Sequence, residues 1–334
     1  MKNQVSPERV LQFIWGYAPT LIIQSAVQHR VFDLLDESSK TIKELAKKSG
    51  ASERGLTAIA NALVGLNFLS RKGDRYQLTP ESAAFLVSTK PGFLGEIYRH
   101  MTTQILPKWM ELNKVVRTGK PAIMVNSPKP GAAFFAQFVE ALFPMGYHAA
   151  QMLGEHLKIS QTKKPVSVLD IAAGSGVWGI ALAQQSPLVR IAAVDWPDVL
   201  KITKKVAKRH GVGNRLTGIP GDILKADFGS NHHVATLGHI LHSEGRERSR
   251  RLLRKVFKAL APGGTIVIGE FVPNDARTGP PPPLLFAVNM LVSTTDGDTF
   301  TFAEMSQWLR EVGFKNPRTL DVHSHSPLIL ATKP

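Results

Sequence analysis

Residues 166–179 read VSVLDIAAGSGVWG, an apolar run of strand length that ends in an acid and opens into a glycine-rich loop. Gly174, Gly176 and Gly179 have the G-x-G-x-x-G spacing of dinucleotide-binding loops, which is a weak signal when taken alone. From this point to the C-terminus apolar strands alternate with amphipathic helices, which predicts a mostly parallel sheet with helices on both faces. In such sheets the ligand lies beyond the carboxyl ends of the strands, so this loop is the expected cofactor site.

The alternation predicts seven strands and the helices between them. The strands are VSVLDI, VRIAAV, RLTGI, VATLGHIL, TIVIGEF, RTLDVHS and PLILATK, and the helices are 177–186, 198–210, 246–260 and 302–312. Only HSHS separates the last two strands, which favours an antiparallel hairpin at the end of an α/β, Rossmann-like sheet.

The N-terminal region has a different pattern, that of a winged helix over residues 30–90. TIKE at 41–44 is a capping box that opens one short helix, Ser52 caps a second, and a hairpin turns at RKGD, 71–74. The second helix would enter the DNA major groove, yet Arg54 is its only basic side chain. Contacts to bases and phosphates need more donors, so dimerisation is favoured over DNA binding.

The composition limits the chemistry, the partners and the compartment. The 334 residues include no cysteine, which excludes a disulfide framework, a thiolate nucleophile and a cysteine-ligated metal site. The net charge of +15 is spread evenly, with 19 basic and 12 acidic side chains in residues 1–160 and 22 and 14 in 161–334. Because no basic tail or domain stands out, we expect no nucleic-acid partner. No signal-peptide pattern and no apolar run of about 18 residues is visible, so we expect a cytoplasmic protein that does not bind membranes.

Asp170 distinguishes between two kinds of cofactor. It ends the strand just before the glycines, where a dinucleotide site would place a pyrophosphate on the N-terminus of the next helix. A carboxylate repels pyrophosphate but favours the sulfonium and ammonium groups of S-adenosylmethionine. The residue therefore favours the methyl donor over a nicotinamide dinucleotide.

Two later strand ends supply further candidate contacts to the cofactor. Asp195 ends the second strand and is suitably placed for ribose hydroxyls, and Trp196 after it is a candidate to pack on adenosine. After the third strand, Asp222 offers a carboxylate to the adenine amino group, with Ile223 against the ring. These features suit an adenosine-containing ligand of either kind.

Five segments, in order, follow the winged helix: VLDIAAGSG, the acid at the second strand end, IPGDI, GHILHSEGRE and ALAPGGTIVIGE. Together they resemble the plant-type small-molecule O-methyltransferases and their bacterial relatives over nearly the whole chain. The resemblance implies a class I methyltransferase sheet, S-adenosyl-L-methionine as cofactor with S-adenosyl-L-homocysteine as product, and a homodimer built through the N-terminal domain. It divides the chain into a winged-helix dimerisation domain (1–95), a helical linker that contributes to the substrate pocket (96–160) and a catalytic domain (161–334).

The resemblance also implies roles for individual residues. Methylation of a hydroxyl needs a base that takes the proton as the oxygen attacks the methyl carbon. His242 has the position of this base, and Glu270, at the end of TIVIGEF, that of the carboxylate that orients it. His239 corresponds to an aromatic position beside substrate and adenine, which implies packing. The candidate cofactor contacts are Asp170, Ala172, Gly174, Gly176, Asp195, Trp196, Asp222, Ile223 and His239.

Two positions depart from the family pattern. Ser243 stands where an aspartate usually follows the histidine, and Thr299 stands where many relatives have a second supporting carboxylate, with Asp298 beside it. With less support for the base, C- or N-methylation, in which positioning near the sulfonium dominates, stays open as an alternative.

The acceptor pocket is assigned by resemblance to the helices at 134–153 and 284–294. The candidate lining residues are Trp109, Phe143, Tyr147, Met290 and Thr294. Such a lining favours a flat, aromatic or polyketide-like acceptor. We expect no metal, because no carboxylate cluster surrounds the histidines that we predict in loops, namely His232, His233, His323 and His325.

The sequence thus predicts a dimeric S-adenosylmethionine-dependent methyltransferase that acts on the oxygen of a small hydroxylated molecule. Two other classes stay open beside C- or N-methylation. An NAD(P)-dependent oxidoreductase is supported by the glycine spacing and opposed by Asp170. A non-catalytic winged-helix regulator is supported by the net charge and opposed by His242 with Glu270.

Overall fold

The computed structural model describes residues 5–125, 128–136, 138–324 and 326–334, with the backbone alone for 128–130. His325 lies outside these residues. The chain divides into two compact units, residues 1–107 and 108–334, and each has a hydrophobic core of its own.

The first unit combines short helices with a three-stranded antiparallel sheet in the order β1-β3-β2. Its elements are α1 (Glu8–Gln12), α2 (Ala18–Gln28), α3 (Val31–Glu37), β1 (Lys40–Thr41), α4 (Ile42–Ser49), α5 (Glu53–Gly65), β2 (Leu69–Lys72), β3 (Arg75–Leu78), α6 (Pro80–Phe85) and α7 (Gly95–His100). The predicted capping box is present, since Thr41 and Glu44 exchange side-chain-to-backbone hydrogen bonds. The helices α4 and α5 and the hairpin of β2 and β3 together have the arrangement of a winged helix.

One segment of this unit is apolar enough to cross a membrane. Among the described residues, Glu8–Gln28 passes this test by length and composition, and it is mostly exposed. No continuous apolar run of about 18 residues marks this segment in the sequence, because polar side chains interrupt it.

A π-helical turn (Met101–Ile105) and α8 (Leu106–Trp109) lead into the second unit. The helices of that unit are α9 (Leu112–Thr118), α10 (Pro128–Ala136), α11 (Phe143–His156), α12 (Val177–Gln185), α13 (Pro197–Arg209), α14 (Leu241–Ala259), α15 (Pro281–Ser293) and α16 (Phe302–Val312). The strands are β4 (Val166–Ile171), β5 (Val189–Asp195), β6 (Leu216–Pro220), β7 (His232–Gly238), β8 (Leu260–Gly269), β9 (Lys315–Leu320) and β10 (Leu328–Thr332).

The seven strands form one sheet in the order β6-β5-β4-β7-β8-β10-β9. The five strands from β6 to β8 are parallel, and β10 is antiparallel to both β8 and β9, which confirms the predicted hairpin. The strand order reverses between β4 and β7, so the carboxyl ends of these two strands border the crevice where such sheets bind ligands.

Apolar side chains on alternate strand positions supply the two faces of this sheet. Val168 belongs to the core with α11, α12 and α13, whereas Leu169 and Ile171 belong to the core with α14 and α16. All three side chains are fully buried, and each such burial contributes roughly 1.5–3 kcal/mol. The continuous apolar run of β4 is therefore a strand covered on both faces.

Several predicted boundaries differ from the structure, among them the following three. Strand β7 ends at Gly238 rather than continuing through Leu241, and His242 lies in the first turn of α14. Helix α14 begins before residue 246, but Gly245 interrupts it with φ 72° and ψ 172°, so the regular pattern starts only after this glycine. Strand β9 begins at Lys315 rather than Arg318, because a mostly exposed edge strand has little apolar alternation to mark its start.

Candidate active site

The loop after β4 makes a tight turn into α12. Ala172, Gly174 and Gly176 have positive φ values of 51°, 55° and 78°. A Cβ on Gly176 would lie 2.9 Å from Cγ2 of Thr203 in α13, so both conformation and space require glycine there. Glycine at position 176 therefore lets this turn pack directly against α13.

Asp170 makes its contacts inside the protein. Its side chain is completely buried, and its carboxylate accepts hydrogen bonds from the backbone N–H of Gly179 at 3.1 Å and from Oγ1 of Thr236 at 2.7 Å. Burial raises the pKa of Asp170 to about 7. In this conformation both oxygens face into the protein and tie α12 to β7, and the expected direct contact with a sulfonium stays a prediction.

Asp195 holds the other side of the same loop. Its Oδ2 accepts from the N–H of Gly174 at 2.9 Å, and its Oδ1 accepts from that of Trp196 at 2.7 Å. Burial raises the pKa of Asp195 to about 6. Trp196 follows at the N-terminus of α13 and packs near Phe135, with ring centres 6.0 Å apart. The structure thus brings Asp195 and Trp196 to the glycine loop.

The loop after β6 carries the other two predicted adenosine contacts. Oδ1 of Asp222 accepts from the N–H of Leu224 at 2.7 Å, and its Oδ2 lies 3.8 Å from Nη2 of Arg248. Ile223 belongs mostly to the core and is 8% exposed. These contacts shape the loop, and Asp222 keeps a partly accessible carboxylate.

His242 and Glu270 form a buried pair. Nδ1 of His242 lies 2.7 Å from Oε2 of Glu270, and the backbone N–H of His242 donates to Oε1 at 3.3 Å. Burial opposes ionisation of Glu270, but the charge and hydrogen bonds of His242 outweigh this and hold the pKa of Glu270 below its usual value. The carboxylate is thus kept ionised beside the imidazole.

An aromatic surface that sequence reasoning missed borders this pair. The ring of Phe286 in α15 meets His242 edge-on at 4.9 Å and stacks on Phe271 at 4.2 Å. Phe271 directly follows Glu270, and Phe286 precedes Met290 by one helical turn. The positions of Phe271 and Phe286 are visible in the sequence, but apolar residues at such positions more often belong to a hydrophobic core.

His239 lies at the other end of the same surface. Its ring is exposed and lies 5.1 Å from Phe271 and 6.2 Å from His242, and its backbone is left-handed with φ 59°. One ligand atom each from His239, His242 and Glu270 lies within 4.8 Å of the others, which is close enough for a shared cation. The expected absence of a metal therefore stays a prediction.

The residues at the two departures from the family pattern have the following contacts. Ser243 donates to the carbonyl of Ile240, and the buried Oγ1 of Thr299 has no hydrogen-bond partner in the described part of the chain. Asp298 donates its N–H to the carbonyl of His242, but its carboxylate turns to Arg277, 3.5 Å away. Asp298 thus does not substitute for the missing carboxylate.

Three of the five predicted acceptor residues lie on or near α15. Nε1 of Trp109 donates to Asn289 at 2.9 Å, and Met290 is buried one turn after Phe286. Oγ1 of Thr294 donates to the carbonyl of Met290 and accepts from the N–H of Gly297, which helps to shape the loop against the His242 backbone.

Phe143 and Tyr147 make contacts with other elements, and their assignment to the acceptor pocket stays a prediction. Phe143 stacks on His210 at 4.4 Å, and the hydroxyl of Tyr147 donates to Gln184 at 2.7 Å. His210 and Gln184 lie at the carboxyl ends of α13 and α12, away from the glycine loop. The periodicity of α11 showed an aromatic face but not which neighbour it covers.

Comparison with known proteins agrees with this geometry. Residues 109–315 match the model of the O-methyltransferase domain, and residues 11–88 match that of the O-methyltransferase dimerisation domain. The chain is 27% identical to the 3-hydroxy-5-methyl-1-naphthoate 3-O-methyltransferase of Streptomyces sahachiroi, over 94% of this chain and 91% of that one. It is also 27% identical to the tetracenomycin polyketide synthesis 8-O-methyltransferase TcmO of Streptomyces glaucescens, over 98% and 97%.

Solved structures show the same fold. The crystal structure of a candidate O-methyltransferase from Nostoc punctiforme has 30% identity and a TM-score of 0.90, over 99% of this chain and 100% of that one. Human N-acetylserotonin methyltransferase in complex with S-adenosylmethionine has 21% identity and a TM-score of 0.86, over 100% and 99%. The oxidoreductase, the regulator and the C- or N-methyltransferase are not favoured by these comparisons. Since the catalytic model matches more than half of its length, the chain belongs to the S-adenosylmethionine-dependent O-methyltransferase family.

Proposed function

We propose that this enzyme methylates a hydroxyl group of a flat aromatic or polyketide-type acceptor, with His242 as the general base. The observation that carries the proposal is the 2.7 Å contact between Nδ1 of His242 and Oε2 of Glu270. An Nδ1–H that donates to the carboxylate leaves Nε2 of the neutral ring unprotonated and able to accept a proton.

The buried pair accounts for the proton transfer. His242 takes the proton from the acceptor hydroxyl, and Glu270 holds the ring in place and stabilises the imidazolium that forms. Both side chains are at most 10% exposed, so their electrostatic interaction is stronger than it would be in water. S-adenosylmethionine, when bound, supplies an electrophilic methyl group. The residues that would hold it are Ala172, Gly174, Gly176, Asp195, Trp196, Asp222 and Ile223.

The acceptor class is supported by the aromatic surface beside the base. Phe271 and Phe286 are stacked at 4.2 Å, with Phe286 against His242, and a planar ring system can pack on such a surface. Relatives named for a naphthoate and for tetracenomycin act on acceptors of this type. Trp109, Met290 and Thr294 are proposed to complete the pocket.

We also propose a homodimer formed through the N-terminal unit. Phe13 and Trp15 are 76% and 67% exposed, although both are large apolar side chains. They lie within residues 11–88, which match the dimerisation domain. A second copy of the chain would remove this apolar surface from water. DNA and membranes are not proposed as partners.

The base is tested by replacing His242→Ala and measuring methyl transfer from radiolabelled S-adenosylmethionine to a panel of hydroxynaphthoates and hydroxyanthraquinones. We expect kcat to fall by about 10²–10⁴-fold, the usual contribution of a general base, with S-adenosylhomocysteine affinity unchanged. His148→Ala, which removes an exposed histidine on α11, is the matched control. Full activity of the His242 variant would contradict the assignment, and transfer by neither protein to any hydroxyl would contradict the acceptor class.

A further inference from the structure

Trp178 lies across the carboxyl ends of two strands beside the glycine loop. It belongs to the first turn of α12, and a Cβ built on Gly238 would overlap its Nε1. A Cβ on Gly269 would lie 3.2 Å from its Cζ2. Gly238 and Gly269 are paired at the ends of β7 and β8, so the two glycines together make room for the indole ring.

The indole N–H of Trp178 has no hydrogen-bond partner among the described residues. The side chain is 6% exposed, and in the described part of the chain no acceptor forms a hydrogen bond with Nε1. The Nε1 atom is not one of the fully buried atoms that lack a partner, so it borders solvent although the ring is buried. An indole N–H that opens beside a cofactor loop can donate to a ligand acceptor there.

The order of the strands indicates which part of the cofactor would meet this donor. The proposed adenosine contacts Asp195 and Asp222 follow β5 and β6, on one side of β4, and His242 follows β7 on the other. The sulfur of S-adenosylmethionine carries three substituents. With the adenosine group over β5 and β6 and the methyl group facing His242, only the amino-acid tail remains to be placed. This amino-acid tail would then extend along the ends of β4 and β7, where the indole lies.

The tail ends in a carboxylate that needs donors. Segments 172–179, 238–242 and 269–273 contain no lysine or arginine. The backbone N–H groups of Gly174 and Gly179 are already used by Asp195 and Asp170. A neutral side-chain donor at this position is therefore of particular value, and the indole N–H is suited to the task.

We propose that the indole N–H of Trp178 binds the α-carboxylate of S-adenosylmethionine. The residue thereby selects the intact amino-acid tail and positions the methyl group for transfer. The proposal rests on the family's cofactor and on the unpartnered donor, and it does not depend on the identity of the acceptor.

The test compares two ligands that differ only in this carboxylate. Calorimetric titration without acceptor would measure the affinity of wild type and Trp178→Phe for S-adenosylmethionine and for decarboxylated S-adenosylmethionine. We expect the variant to bind S-adenosylmethionine at least tenfold more weakly, about 1.4 kcal/mol, and the decarboxylated ligand within twofold of wild type. Trp308→Phe, which alters an equally buried indole in α16, should leave both affinities unchanged.

A second measurement uses the wild-type chain, in case the variant does not fold. Of the five tryptophan indole N–H resonances, one should move downfield on addition of S-adenosylmethionine but not of the decarboxylated ligand. Equal losses of affinity for both ligands would make the indole a packing group only and overturn the proposal, as would no loss for either. Binding of neither ligand by wild type would overturn the cofactor assignment itself, which is a distinct result.

Discussion

At the residue scale, the carboxyl group of Asp170 couples protonation to folding. Burial raises its pKa from 3.8 to about 7, so the folded protein binds this proton more tightly than the unfolded chain. The resulting stabilisation is fully present below about pH 4 and is lost as the pH rises through about 7. At neutral pH the carboxyl group therefore holds the loop through its hydrogen bonds, but its partial ionisation lowers the free energy of unfolding.

Replacement of Asp170→Asn should remove this pH dependence. The amide oxygen can still accept from Gly179, and its NH₂ group can donate to the hydroxyl of Thr236. Relative to wild type, the free energy of unfolding of the variant should rise by about 2–3 kcal/mol between pH 5 and pH 8. Urea unfolding at both pH values measures this, with the exposed Asp321→Asn as control. An identical pH dependence of variant and wild type would show that Asp170 does not titrate as described.

At the scale of elements, α14 supports both halves of the site. Its first turn carries His242, and three turns later Lys255 reaches the loop after β6. Nζ of Lys255 donates to the carbonyl of Ile223 at 3.0 Å and to that of Ala226, and it lies 3.9 Å from the centre of the Phe228 ring. The two parts of α14, before and after the break at Gly245, thus contact the proposed catalytic pair and the proposed adenine loop.

Replacement of Lys255→Met tests this support. The variant keeps most of the side-chain length but loses the two hydrogen bonds to the loop, so we expect the Kd for S-adenosylhomocysteine to rise about 3–10-fold. Lys258→Met alters an exposed lysine on the same helix and should bind as wild type does. Calorimetric titration measures both. Unchanged affinity of the Lys255 variant would argue against adenine binding at this loop.

At the scale of the whole molecule, the exposed apolar residues of the N-terminal segment are the proposed dimer surface. The double variant Phe13→Asp, Trp15→Asp would place two charges in that interface, where burial without a partner is costly. We expect light scattering after size exclusion to give a dimer mass for wild type and a monomer mass for the variant. Met110→Asp, at a 79% exposed position in the other unit, should remain dimeric. A dimeric double variant would place the interface elsewhere.

Local patterns in the sequence were enough to predict the strands, the hairpin at the end of the sheet and the glycine turn. Apolar periodicity and the need for positive φ act over a few residues, so they can be detected without the fold. The nearness of His242 to Glu270 was implied by the resemblance to the O-methyltransferases, and the structure gives its reason, since each residue lies at or just after the carboxyl end of one of two neighbouring strands.

Only the tertiary structure decided where side chains from distant segments meet. It turned Asp170 into the protein, placed Phe143 and Tyr147 at the far ends of α12 and α13, and paired Asp298 with Arg277. It also brought Phe286 to His242, and Trp178 to Gly238 and Gly269, across wide gaps in sequence. Periodicity shows that a helix face is apolar or aromatic, whereas the neighbour it covers depends on how whole elements pack together.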